Sequence, residues 1–394
     1  MKRRVLLVES VGEVGGAERV LLDTLRLRDV SRWEAHLLVL AAPGSLSQEA
    51  APHAIVTHHP AGRYRDPRTL AAAVRCCSTA IRRTGAAVVH ANGAKAHIVA
   101  GLAALLHRKP CVWHVHEILD AHSPLNWLAL RVPASCYLAT SKAARRQLLQ
   151  LGAPASKVRV VYPGLDKPRF QELLLRGAAT DIRDELGISR DAPLITIVGR
   201  LQPGKGQHVL LAAAPRVRAR FPTAHFLVVG DALFGLDAAY PAQLRRLAAR
   251  LGLGQAVHFL GQRGDVPAIL RASTVVVQAS VFPEAFGLVV LEGMAAGKPV
   301  IATRCGGAAE IIADGVTGIL VPPGQPAVLA DRLVELLADR ERREALGAAA
   351  RTVEFTAAET ARRIQAAWDA IAPPLAPNRR RAASAVRPIP ASAR

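Results

Sequence analysis

Short apolar runs rich in β-branched residues alternate along the chain with longer Ala/Leu/Arg stretches of helical spacing. This is the pattern of parallel sheets flanked by helices. The first series predicts strands at RRVLLVES, AHLLVLA, AIVTHH, AAVVHAN, PCVWHVHE, CYLATS and VRVVYPG. After a helical stretch at 171–187, a second series follows at PLITIVGR, AHFLVVGD, AVHFLG, STVVVQAS, PVIATR and GILVPPG. Each series suffices for one Rossmann-like domain. The turn residues of LDKPRF and ISRDAP put the division near Lys167, giving domains at 1–166 and 167–372. Residues 325–368 read as two helices, and 373–394 are too rich in Pro and Arg to pack, so that basic tail is expected to be disordered.

Composition agrees with two domains, since 394 residues exceed the roughly 250–300 at which single cores stop growing. The net charge of +20 predicts attraction to anions somewhere on the surface, although a general arginine bias explains the number equally well. Nucleic acid fits poorly as the anion, because aromatics are 4% and no nucleic-acid module is recognisable. The five cysteines show no C-x-x-C spacing and read as reduced thiols. The apolar run after MKRR is too short for a signal peptide, and none approaches the roughly 20 residues of a spanning helix. A cytoplasmic protein is expected, with peripheral contact at an anionic membrane as an option.

The chemistry concentrates in FPEAFGLVVLEGMAAGKPV, residues 282–300, where Glu284 and Glu292 stand eight positions apart in an apolar run. Glu284 falls in a loop after a strand, and a helix begins near Gly287. The first-turn N–H groups of such a helix, at Gly287, Leu288 and Val289, suit a phosphate. Glu292, a turn deeper, is placed to accept hydrogen bonds from vicinal hydroxyls such as those of a ribose. Spacing alone leaves open a plainer reading, in which Glu284 complements the helix dipole and Glu292 is an exposed helix residue. Upstream, VGRLQPGKG sets Arg200 and Lys205 on a loop at the carboxyl edge of a parallel sheet, where two cations suit a diphosphate.

Together, E-x7-E and G-R-x4-K-G resemble glycosyltransferase family 4, the retaining enzymes whose two Rossmann-like domains face each other across a deep cleft in the GT-B fold. The resemblance implies that Gly230 in VVGD and Gly261 in HFLGQR approach the nucleotide base, and that Gly306, Gly307 and Glu310 help complete the sugar-nucleotide pocket. In the first half it implies that Gly15, Gly16 and Glu18 of GGAE face the cleft near the transferred sugar and acceptor. It also implies that His116 stands beside the reacting sugar. His90 and Asn92 are candidates for lining the same cleft. One departure is VVYPGLD, where Pro163 replaces the usual Asn. The last helix is expected to pack back on the first domain.

These features predict transfer of a sugar from a UDP- or GDP-sugar to an acceptor hydroxyl, in polysaccharide, glycolipid or glycoconjugate synthesis. Arg200, Lys205, Glu284 and His116 are the expected catalytic set, with Gly287, Leu288, Val289 and Glu292 binding donor. The acceptor is a saccharide or lipid-linked saccharide. D-x-D is absent, H-E-x-x-H is absent, and the H-x-H-E of His114, His116 and Glu117 lacks a third ligand cluster, so neither metal nor cofactor is expected. No G-x-G-x-x-G fingerprint supports hydride transfer. A sugar-nucleotide epimerase of the same fold is the nearest rival, and a non-catalytic nucleic-acid-binding protein is the distant one.

Overall fold

The computed structural model describes residues 2–374 except 61, 63–65, 121, 177–180 and 233–236. Seven strands form the first sheet: β1 (Arg3–Glu9), β2 (Trp33–Val39), β3 (Ile55–His58), β4 (Val88–Asn92), β5 (Cys111–Val115), β6 (Cys136–Ala139) and β7 (Val158–Val160). The helices α1 (Gly16–Leu27), α2 (Ser45–Ala50), α3 (Pro67–Thr84), α4 (Ala94–Leu106), α5 (Pro124–Arg131) and α6 (Lys142–Gln150) connect them. All pairings are parallel, in the order β3-β2-β1-β4-β5-β6-β7.

After α7 (Lys167–Arg176) and α8 (Ile182–Leu186), a second sheet is built from β8 (Leu194–Val198), β9 (His225–Val229), β10 (Val257–Gly261), β11 (Val275–Gln278), β12 (Val300–Thr303) and β13 (Ile319–Val321). Its helices are α9 (Gln207–Arg220), α10 (Tyr240–Arg250), α11 (Val266–Ala272), α12 (Leu288–Ala295) and α13 (Ala308–Ile311). The order is β10-β9-β8-β11-β12-β13. Each sheet therefore reverses direction once, between β1 and β4 in the first and between β8 and β11 in the second. In open parallel sheets that reversal leaves a crevice at the carboxyl ends of the strands.

The strands read as unbroken apolar runs because both sheet faces are covered. Val5 and Leu7 pack with α1, while Leu6 and Val8 pack with α3 and α4. Trp113, Tyr137 and Ala139 continue the second face under α4, α5 and α6. All thirteen predicted strands form.

The helices depart from expectation in two places. The stretch at 171–187 is divided between α7 and α8. Residues 325–368 hold parts of three helices rather than two: α14 (Pro326–Ala338), α15 (Arg340–Arg351) and α16 (Ala357–Ile371). The breaks follow from capping side chains. Asp339 accepts from the Arg342 N–H at 2.9 Å, and Thr356 accepts from that of Glu359 at 3.3 Å. The predicted tail lies, from residue 375 onward, outside the described residues.

Helix α16 lies on the first sheet, against α1. Fully buried Trp368 meets Trp33 edge-on with ring centroids 5.4 Å apart, and its indole N–H donates to His90 Nδ1 at 2.9 Å. The outgoing and returning chain segments pair where they cross. The Leu165 N–H donates to the Phe355 carbonyl (2.8 Å) and the Ala357 N–H to that of Leu165 (3.1 Å). Among the described residues, no helix is long and apolar enough to cross a membrane.

Candidate active site in the cleft between the sheets

Glu284 follows β11 and is held from three sides. Lys205 forms an ion pair with Oε1, while Gln278 Nε2 (2.6 Å) and Ser280 Oγ (2.9 Å) donate to Oε2. Burial works to raise its pKa, but Lys205 and these hydrogen bonds outweigh it and hold the carboxyl below the ordinary value. The backbone is fixed as well. The Gly307 N–H donates to the Glu284 carbonyl at 2.7 Å, and a Cβ on Gly306 would stand 2.0 Å from that oxygen, so only glycine fits there.

Gly287 is the N-cap of α12 at φ 98°, and the helix proper begins at Leu288. The first-turn N–H groups of α12 therefore open beside Glu284. Glu292 lies in the second turn and, among the described residues, makes no side-chain hydrogen bond. Burial raises its pKa to about 6, opposed by the charge of Arg19 from α1. Gln207 fixes the loop that carries Arg200 and Lys205 by donating to the Arg200 carbonyl at 2.8 Å. The two cations do not point at one spot. Lys205 faces Glu284, whereas the charge of Arg200 acts on Glu18 and Glu117 of the first sheet's edge. Gly230 and Gly261 sit at neighbouring strand ends, joined by a 2.8 Å bond from the Gly230 N–H to the Gly261 carbonyl.

On the opposite wall, His116 Nε2 lies 2.7 Å from Asn92 Oδ1, and Asn92 Nδ2 donates to Glu9 Oε2 at 2.6 Å. Glu9 and Asn92 are register partners at the β1/β4 reversal. Because Asn92 gives its N–H to Glu9, its oxygen must accept from His116, which places the imidazole proton on Nε2. Burial lowers the His116 pKa to about 3, so the ring is neutral. His114 packs 3.9 Å from it, centroid to centroid, on the same face as the strand alternation predicts. His90 does not line the cleft. It is buried beneath His114 and bonded to Trp368. Among the described residues, no group of three or more His, Cys, Asp or Glu is arranged to hold a metal ion.

Gly15 is the N-cap of α1 and Gly16 its first residue. Glu18 turns back to accept the Gly15 N–H at 2.9 Å, so its carboxylate completes the helix's own start. A Cβ on Gly16 would lie 3.7 Å from Leu288 Cδ1. The N-termini of α1 and α12 thus face each other across the cleft. Glu310, expected to join the nucleotide pocket, instead accepts from the N–H groups of Lys142 (2.9 Å) and Ala143 (2.8 Å) at the start of α6 and from the Tyr162 hydroxyl (2.8 Å).

With this geometry in place, two family descriptions cover most of the chain. Glycosyltransferase Family 4 matches residues 14–169, and Glycosyl transferases group 1 matches residues 179–353. The chain belongs to glycosyltransferase family 4. Its two facing sheets have the family's GT-B fold. It is 40% identical over 196 residues to a D-inositol 3-phosphate glycosyltransferase of Corynebacterium urealyticum, a match covering 48% of this chain and 45% of that one. A second such enzyme, from Thermomonospora curvata, is 40% identical over 216 residues, 52% of this chain and 49% of the other. The chain thus spans about half the length of the curated relatives it matches. Anabaena HepE, solved with UDP-glucose, superposes over 93% of this chain and 99% of its own, with TM-score 0.80 and 29% identity. WaaG, a glycosyltransferase of lipopolysaccharide biosynthesis, shares the fold at TM-score 0.72 and 17% identity, over 93% and 99%.

Several residues at this site went unnoticed in the sequence. Gln278 and Ser280 alternate at the end of an otherwise apolar strand, and that period-two polarity was the available signal. Glu9 likewise ends an apolar strand. Burial raises its pKa to about 8, aided by the Glu18 charge.

Proposed function

We propose that the protein transfers a glycosyl group from a UDP-sugar to an acceptor hydroxyl, with retention of anomeric configuration and without a metal ion. The observation that carries this reading is the half-buried Lys205–Glu284 pair, braced by Gln278 and Ser280, beside the N-terminus of α12. Glycosyl transfer from a nucleoside diphosphate needs stabilisation of growing negative charge on the leaving group. Lys205, Arg200 and the N–H groups of Leu288 and Val289 supply it from this wall, which is why no bridging metal is invoked. Glu284, kept ionised, accepts from hydroxyls of the donor sugar. Glu292 accepts from the ribose, and Gly230 and Gly261 adjoin the base.

The choice of UDP over GDP is supported by the likeness to HepE, whose structures hold UDP, glucose and UDP-glucose. Neutral His116, oriented by Asn92, positions the sugar and acceptor hydroxyls from the opposite wall. The acceptor belongs to polysaccharide, glycolipid or glycoconjugate synthesis. Closure of the cleft limits hydrolysis by excluding water.

A donor screen by mass spectrometry tests this. Saturable binding or slow hydrolysis is expected with a UDP-sugar and weaker response with GDP- and ADP-sugars. If no sugar nucleotide binds at millimolar concentration, the reading fails. An altered hexose released with UDP in the absence of any acceptor would make the protein an epimerase instead.

A further inference from the structure

The charge of the first half is segregated by sheet face. Residues 2–60, which form α1 and α2 on one face, hold seven Lys/Arg and seven Asp/Glu. Residues 66–165, which form α3, α4, α5 and α6 on the other, hold thirteen Lys/Arg against only Asp66, Glu117 and Asp120. A general arginine bias would enrich both faces alike. The asymmetry therefore points to an anionic partner on the α3–α6 side.

The same side exposes large apolar groups. Leu105 and Leu106, at the end of α4, are 59% and 71% exposed, followed after His107 by Arg108 and Lys109. Trp127 on α5 is 52% exposed, with the Arg131 guanidinium 3.6 Å from its ring centroid. The two helices are neighbours, so close that a Cβ on Gly101 would stand 2.4 Å from Val132. Exposed Arg82 and Arg83 extend the cationic rim from the end of α3, which packs on α4. A soluble polyanion would meet the cations but gain little from two leucines and a tryptophan. A bilayer takes both, with apolar groups and an amphipathic indole at the headgroup level and cations on acidic lipids.

We propose that the outer face of α4 and α5, rimmed by the end of α3, docks on an anionic phospholipid surface. The placement suits delivery of an acceptor. The segment after β5 that carries His116 and Glu117 leads into α5, and Glu117 accepts from the Ala94 N–H at the start of α4 (3.3 Å). Both helices begin at the cleft and run away from it toward the patch, so a membrane lying along α4 and α5 passes the cleft mouth about 20 Å, one length of α4, from Leu105 and Leu106. Docking is measured without donor or acceptor. Only its purpose, presentation of a lipid-borne hydroxyl, rests on the transferase reading, so either can fail alone.

The four tryptophans make the test direct, because Trp33, Trp113 and Trp368 are at most 1% exposed and only Trp127 can change environment on docking. Full-length protein mixed with phosphatidylglycerol/phosphatidylcholine vesicles should show a blue shift and protection from acrylamide. Pure phosphatidylcholine should cause neither, and 0.5 M salt should reverse most of the binding. Each basic side chain near the surface contributes about five-fold in partitioning. Changing Arg82, Arg83, Arg108 and Lys109 to Gln should therefore weaken cosedimentation by up to about 600-fold while leaving UDP binding intact. Trp127→Ser should abolish the shift. No shift with acidic vesicles overturns the assignment, as does tighter binding to heparin than to vesicles with no change in emission.

Discussion

The two walls of the cleft are built from opposite electrostatics. On the second sheet, Glu284 is half-buried yet ionised, because Lys205, Gln278 and Ser280 satisfy it. On the first, His90 and His114 are buried and His116 half-buried, all three neutral, and Glu9 is pushed toward its protonated form. Both walls stand at the same topological position, a reversal of strand order, so the fold does not dictate the difference. Side chains at the strand ends do. On the proposed reading, one wall holds an ionic group whose charge grows during reaction and the other orients neutral hydroxyls.

The strongest attack on this contrast is Lys205→Ala. On the proposed reading it removes a cation from the diphosphate, and it leaves Glu284 without its counter-ion, so kcat/KM should fall about 10³-fold, in the range for loss of one electrostatic stabiliser. Lys205→Arg should recover part of it; equal activity of the Ala variant and the wild type would dismiss the charged wall.

Next comes Trp368→Ala, which removes the ring packed on Trp33 and His90. Denaturant unfolding should show a loss of about 3–5 kcal/mol. A variant as stable as the parent would mean α16 contributes little to the first sheet.

His116→Ala tests the neutral wall by itself. Turnover should drop about 10²-fold, the scale of a positioned polar group, with UDP affinity unchanged by calorimetry. A comparable loss of UDP affinity would erase the division between walls.

The mildest test uses pH. Glu292 is raised to about 6, so its carboxylate is ionised at pH 7 and protonated at pH 5, where one acceptor oxygen becomes a donor. UDP binding should weaken by up to about ten-fold as pH falls through 6, and Glu292→Gln should flatten that dependence. In stability the sign is opposite. A raised carboxyl binds a proton more tightly when folded, so protein stability declines as pH rises from about 4.5 to 6, and Glu292→Gln should remove this decline.

The sequence disclosed the strands well because sheets covered on both faces write their strands as uninterrupted apolar runs ended by turn residues. It disclosed Lys205 and Glu284 as residues of interest, but not that they meet, since 79 positions separate them and no local period links them. Asp339 and Thr356 resemble ordinary surface residues until their side chains are seen closing helix starts. Glu310 shows the limit most plainly. Its neighbours Gly306 and Gly307 clasp Glu284, so a nucleotide-side role was the natural expectation, yet its carboxylate reaches the first turn of α6, more than 160 residues earlier.

Helix α16 also sets a schedule for synthesis. The first sheet is complete in sequence by Val160, but the helix that covers Trp33 and His90 is not made until Ile371. At about 5–20 residues per second, that is a wait of roughly 10–40 s with the part of the sheet face beside α1 that α16 covers still open. The nascent chain must be shielded from aggregation for that interval, and the first domain reaches its final form only after nearly all of the second has been translated.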